Sequence, residues 1–184
     1  MTDHSGTEVA TLISRAKEIA CRYYQLTGKP LGISGEIAEQ EAARLLGLSL
    51  FPARAASADA GRLNGGKTEL IQIKGRAVDV KSKYVGRVPK IKLEPAFDFA
   101  VLVLLDRSNL DTIEIWEADY GAIRSRLTLP GSKARNERGS MGISQFKSIA
   151  RKVWPAPGKK VSMRGTGPRL NTSETLTSLN VGFI

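Results

Sequence analysis

Asp59, Gln72 and Lys74 are the residues of this 184-residue chain whose types and spacing suit bond-breaking chemistry. Strand alternation sets Leu70, Gln72, Lys74 and Arg76 on one face and Glu69, Ile71 and Ile73 on the other. Asp59 lies on the hairpin partner. A two-residue turn at Gly65-Gly66 pairs it with Gln72, and one at Asn64-Gly65 pairs it with Leu70. Both put Asp59 on the face of Gln72 and Lys74, whereas a three-residue turn reverses the parity. A carboxylate, an amide oxygen and an ammonium group then meet at one strand pair. A hard divalent cation, Mg²⁺ or Mn²⁺, takes oxygen ligands of this kind: Asp59, the Gln72 side-chain oxygen and the Ile73 carbonyl. The cation offsets charge on a phosphate and acidifies a bound water. Lys74 orients or deprotonates that water, or steadies the developing charge. Glu39 or Glu36, from a helix upstream, completes the cation site. Phosphodiester hydrolysis without histidine needs this set, and the chain has one histidine, His4, and one cysteine, Cys21. A disulfide framework within these residues and a cysteine-rich zinc site are thereby ruled out.

Each residue also has a plainer reading. Asp59 can be a strand-end aspartate, Lys74 a solvated lysine, and Gln72 an amide that satisfies backbone groups. Glu39 can be a solvated helix-face carboxylate, and Glu36, in a first helical turn, is accounted for by the helix dipole.

The elements that must position these side chains follow from periodicity. Ser5-Gly6-Thr7-Glu8 reads as a capping box opening a helix to about Leu26. Val9, Leu12, Ile13, Ala16, Ile19, Ala20 and Tyr23 form its apolar stripe. Ser34 is the expected N-cap of a second helix, which carries Glu36 and Glu39 and ends at Gly47. Residues 48–51 suit a short strand, and 58–63 and 68–76 flank Asn64-Gly65-Gly66 as a hairpin. Residues 78–93 form a basic connection interrupted by Pro and Gly. Residues 97–105, apolar on both faces, make a central strand, and 112–118 a further one. A short helix is expected over 119–127 and a basic loop over 129–140. Ser144 then caps a last helix through Phe146, Ile149, Ala150 and Val153. Helices before and after a run of strands predict an α/β sandwich on a mixed sheet.

Asp59, a gap of 12 residues, Gln72-Ile73-Lys74 and the upstream helix Gly35-Glu36-Ile37-Ala38-Glu39 together resemble the PD-(D/E)XK nuclease superfamily. The chain is most similar to the branch with Gln in the (D/E) position, as in Mrr-type restriction endonucleases; Holliday-junction resolvases share the same core. The resemblance covers about residues 34–118. It implies a restriction-endonuclease-like α-β-β-β-α-β core with a mixed central sheet flanked by helices, an extra N-terminal helix and a basic C-terminal extension. It also implies metal-dependent endonuclease chemistry on DNA. Asp59 matches the motif aspartate, Gln72 the variable acid, Lys74 the catalytic lysine, and Glu39 the helix glutamate of a G-x-x-x-E pattern. Ala58 stands in place of the motif proline. Gln72 stands in place of an acid, which removes one negative charge from the cation site. The alternative raised by that second departure is a DNA-binding module of the same fold that no longer cuts.

Charge points to the same class of partner. Through Asp119 the chain has 16 Lys+Arg against 16 Asp+Glu, and from Tyr120 onward 12 against 2, so the whole net charge of +10 lies in the last third. Such asymmetry suits a polyanion, DNA first and RNA second. Arg76, Lys81, Lys83, Arg87, Lys90 and Lys92, with Lys133, Arg135 and Arg138 in the later loop, are the expected phosphate contacts. The plainer reading is a solvated basic tail. The longest apolar run, residues 99–105, is too short to cross a bilayer. No membrane partner is expected, and a cytoplasmic location is. The chain divides into one nuclease-like domain, 1–154, and a flexible basic tail, 155–184. Within the domain, 1–30 is the N-terminal helix, 34–118 the motif-bearing core, and 119–154 helices with a basic loop. A monomer and a homodimer both suit this organisation.

Overall fold

β4 (Phe99–Asp106) is the axis of the fold, as its composition predicts. In the computed structural model, which describes residues 4–52, 58–81, 86–130 and 140–155, its residues 100–105 are completely buried. β4 pairs in parallel with β3 (Lys67–Val78) and antiparallel with β5 (Thr112–Asp119). β2 (Ala60–Asn64) and β1 (Ser49–Leu50) extend the sheet beyond β3, and β6 (Arg151–Trp154) extends it beyond β5. The six-stranded mixed sheet thus has the order β1-β2-β3-β4-β5-β6. On one face Ile71, Ile73, Val101, Val103 and Leu105 pack under α1 (His4–Thr27) and α2 (Ser34–Leu46) through Ala20, Ile37, Ala38 and Ala42. On the other, Ala100, Leu102 and Leu104 meet α3 (Tyr120–Thr128) and α4 (Ile143–Lys147), together with Val88 and Ile91 of the β3–β4 connection. Each large aliphatic side chain so buried contributes about 1.5–3 kcal/mol on leaving water. The fold is α/β, with helices packed on both faces of the sheet.

The hairpin fixes the register that matters. Asn64 pairs with Lys67 across Gly65 and Gly66, which both have positive φ (57° and 81°), the backbone of a type I′ turn. Ala60 then faces Ile71, the last pair of the ladder, and Asp59, one residue beyond it, donates its N–H to the Ile71 carbonyl at 2.9 Å. Of the three turns open to the sequence, the Gly65-Gly66 turn is adopted.

α2 ends as expected at Gly47, in the left-handed conformation (φ 66°), where the Leu48 N–H returns to the Ala43 carbonyl at 3.0 Å. It lies so close to β3 that a Cβ on Gly75 would sit 2.3 Å from the Ser34 carbonyl oxygen and 2.5 Å from the Ala38 Cβ. Only glycine permits that approach.

Three local expectations are corrected. α1 has begun by His4, so Ser5 lies inside the helix and is not its cap. The N-cap of α2 is Ile33, whose side chain makes no capping bond, and Ser34 is the first helical residue. The last helix is capped by Gly142, with Ser144 already inside it, and stops at Lys147 instead of running through Val153; residues 151–154 become β6, with Ile115 facing Trp154 and Trp116 facing Lys152. Ile149, Ala150 and Val153 keep helical spacing, but the open edge of β5 offers backbone partners, and Val153 and Trp154 pack against the core as strand residues. Segment 119–154 therefore ends in a strand. α3 starts where expected, its N-cap Asp119 accepting the Ala122 N–H at 2.9 Å. Of the basic tail, residues 156–184 lie outside the described residues. Among the described residues no helix is long and apolar enough to cross a membrane.

Candidate active site

The pairing of β2 with β3 ends at Ile71, so the next outward-facing backbone groups on that edge, those of Ile73, need other partners. Side chains supply them. Asp59 Oδ2 accepts the Ile73 N–H at 2.6 Å, and Lys74 Nζ donates to the Ile73 carbonyl at 2.9 Å. Lys74 Nζ also lies 3.3 Å from Asp59 Oδ2. Asp59 is itself held in place, because its N–H donates to the Ile71 carbonyl at 2.9 Å. Asp59, Ile73 and Lys74 thus converge on one edge of the sheet, both side chains partly buried.

Glu39 joins them from α2. Burial raises the pKa of its carboxyl above the usual range, the negative charge of Asp59 and then of Glu36 raises it further, and Lys74 partly offsets this. Those causes place Glu39 within electrostatic reach of all three. Glu36, three residues earlier on the same helix face, is exposed at the rim. Asp59 pairs with Lys74, Glu39 lies in electrostatic range of both, and Glu36 in range of Glu39: three carboxylates to one ammonium group, a formal net charge of −2. The close approach of α2 at Gly75 sets this distance, and the residue that permits it directly follows Lys74.

Gln72 departs from the expectation that it binds a cation. Its side chain is buried, its Nε2 donates to the Lys92 carbonyl at 2.6 Å, and its Oε1 accepts the Lys92 N–H at 3.3 Å. The amide clamps the β3–β4 connection, which is the plainer of its two sequence readings. A hard divalent cation fits the chemistry of what remains: the carboxylates of Asp59 and Glu39 and the Ile73 carbonyl are all oxygen donors. Among the described residues no three His, Cys, Asp or Glu side chains are gathered in metal-binding geometry. The donor set therefore rests on two carboxylates and a carbonyl now held by Lys74.

The expected phosphate contacts separate into groups. Arg76 is exposed and two residues beyond Lys74 on the same strand; it lines a cleft of about 460 Å³ together with Tyr24 and Arg107. Arg107 was not legible as a site residue, since its position just past a strand end marks only a turn. Lys81, Lys90 and Lys92 are exposed. Arg87 is engaged instead with Ser140, Nε to Oγ at 3.1 Å and Nη2 to the carbonyl at 2.5 Å, and so fastens two loops together. Lys83, Lys133, Arg135 and Arg138 lie outside the described residues.

In comparisons with known proteins the chain matches no family model and no curated protein.

Proposed function

We propose that the protein is a Mg²⁺- or Mn²⁺-dependent nuclease that cuts phosphodiester bonds in DNA, built on a restriction-endonuclease-like core and acting in the cytoplasm. The observation that carries this reading is the meeting of Asp59 and Lys74 at the unpaired edge of β3, with Glu39 brought up from α2. The order α2, β2, β3, β4, α3, β6 supports it, following α-β-β-β-α-β with β1, β5 and α4 added within it. A bound divalent cation would neutralise phosphate charge and make its water more acidic. The chain's own groups do the rest. Asp59, tied down by the Ile73 N–H, holds its carboxylate in place as a ligand. Lys74 uses two of its three N–H donors on Asp59 and Ile73 and has a third for a phosphate oxygen, where charge grows as the bond breaks. Glu39 supplies the second carboxylate, and Arg76, Lys90 and Lys92 hold the flanking backbone of the nucleic acid.

A second reading, a DNA-binding module that does not cut, is favoured by the commitment of the Gln72 amide to Lys92. Incubation of the purified chain with plasmid, linear and branched DNA separates the two. The nuclease cleaves at least one of them with Mg²⁺ or Mn²⁺ and stops when a chelator is added. Gln72→Glu gives up the bond to the Lys92 carbonyl and gains a negative ligand, so it binds Mn²⁺ more tightly. If neither wild type nor Gln72→Glu cuts with either metal, the binding module is the correct reading.

A further inference from the structure

α1 carries more apolar surface than its own domain covers. Ile13, Ala20 and Cys21 pack toward the core, and on the same side Lys17 Nζ reaches Glu41 at 2.6 Å. Beside this stripe runs a second one, made of Val9, Leu12, Ala16, Ile19, Tyr23 and Leu26. Its large members are exposed: Val9 38%, Leu12 56%, Ile19 62%, Tyr23 39% and Leu26 68%. At about 100° per residue, the two stripes together sweep about 220° of the helix circumference. A surface helix covering one core needs an apolar arc of only about 100°. The opposite side carries Glu18, Arg22 and Gln25, while Glu8 and Arg15 border the outer stripe beside Leu26.

The outer stripe alternates steps of three and four residues from Val9 to Leu26 without a break. That is the seam of a helix that meets another helix, not the broader face of a helix lying on a sheet. We infer that α1 is a dimerisation helix, and that its outer face takes the α1 of a second copy of this chain in antiparallel orientation. A two-fold axis between positions 17 and 18 closes the seam on itself. Val9 then lies opposite the partner's Leu26, Leu12 opposite the partner's Tyr23, and Ala16 opposite the partner's Ile19. Every layer sets a smaller residue against a larger one, as even packing requires. A parallel pair would stack Ala16 on its own copy and Tyr23 on its own copy, leaving one layer underfilled and another overfilled. The interface is isologous and closed, so it makes dimers and not filaments. The strip from Val9 to Leu26, about 26 Å long and about 11 Å wide, hides about 280 Å² on each copy. The total, about 560 Å², is under half of the roughly 1,200 Å² of a stable complex, so the dimer is weak and reversible. The inference does not depend on the nuclease reading.

Sedimentation equilibrium of the full chain from about 1 to 100 µM tests it. The expected result is a monomer–dimer equilibrium that Leu12→Glu with Ile19→Glu weakens at least about 100-fold. Both side chains are exposed, so far-UV circular dichroism and the unfolding midpoint stay where they are. In a Cys21→Ala background, a mixture of Val9→Cys and Leu26→Cys chains forms disulfide-linked dimers on oxidation, and Val9→Cys alone does not. Monomer throughout the range, or a dimer unmoved by the double glutamate variant, overturns the inference. So does dimerisation that appears only after residues 156–184 are removed, which would assign the stripe to the chain's own C-terminal segment. Self-linking of Val9→Cys overturns the antiparallel orientation.

Discussion

Two charged clusters on the same sheet differ in how their charges are closed. Around β5, buried Glu117 takes Arg62 Nη1 at 2.7 Å and Arg151 Nη2 at 2.5 Å, and Arg62 Nη2 holds Glu69 at 2.8 Å. Two acids meet two guanidinium groups, and Arg62 also lies 5.1 Å from the centre of the Phe99 ring. Burial pulls the Arg62 pKa down, but the bonds to Glu117 and Glu69 outweigh it and raise the net value. At the β3 edge, by contrast, Lys74 pairs with Asp59 and only partly offsets the charge around Glu39, whose carboxyl is pushed up rather than down by burial and by Asp59 and Glu36. A closed network needs nothing further and joins β2, β3, β5 and β6. The open one lacks positive charge, and side chains that a ligand can displace satisfy its backbone groups. The first arrangement is closed on itself, and the second is the one to which the proposed cation site is assigned.

Removing the acid from the closed cluster has the largest expected effect. Glu117→Ala leaves Arg62 without its buried partner and lowers the free energy of unfolding by about 3–5 kcal/mol in urea titration. A change under about 1 kcal/mol would mean that the cluster is not closed as described. Gly75→Ala comes next. The new methyl group must push α2 away from β3 at a cost of about 1–3 kcal/mol, and cleavage falls with it because Glu39 moves too. Loss of stability with unchanged cleavage would detach Glu39 from the site. Smallest is Glu39→Gln, and its sign is opposite. A carboxyl whose pKa is raised on folding penalises the folded state once ionised, so the amide stabilises at pH 7, by about 2 °C in the thermal midpoint. The gain fades as pH falls toward about 4, where wild-type Glu39 is protonated as well. A loss at pH 7 would mean that Glu39 is paired as Glu117 is.

What the sequence revealed was whatever local chemistry decides. The uninterrupted apolar run of β4 has no place except the middle of a sheet, and Gly65-Gly66 supplies the two positive φ angles that set the register of Asp59. Asp59 and Lys74 meet at the Ile73 backbone, whereas Gln72, the third member of the expected set, turns to Lys92. What stayed hidden depends on residues distant in sequence. The spacing of Phe146, Ile149 and Val153 reads as helix, and only the free edge of β5 turns the last of them into a strand. Gln72 has the same amide whether it faces a cation or a backbone, and only the position of Lys92 decides between them. Gly75 is one glycine among 18 in the sequence, and its importance appears only with α2 in place.

The central claim is that Lys74 acts on the reacting phosphate and not merely on the grip. Single-turnover cleavage and DNA affinity, measured side by side in Mn²⁺ for wild type and Lys74→Ala, test it most directly. The account predicts a rate lower by about 10²-fold or more, with affinity changed by no more than about twofold. An unchanged rate, or a loss of rate wholly matched by weaker binding, would contradict it.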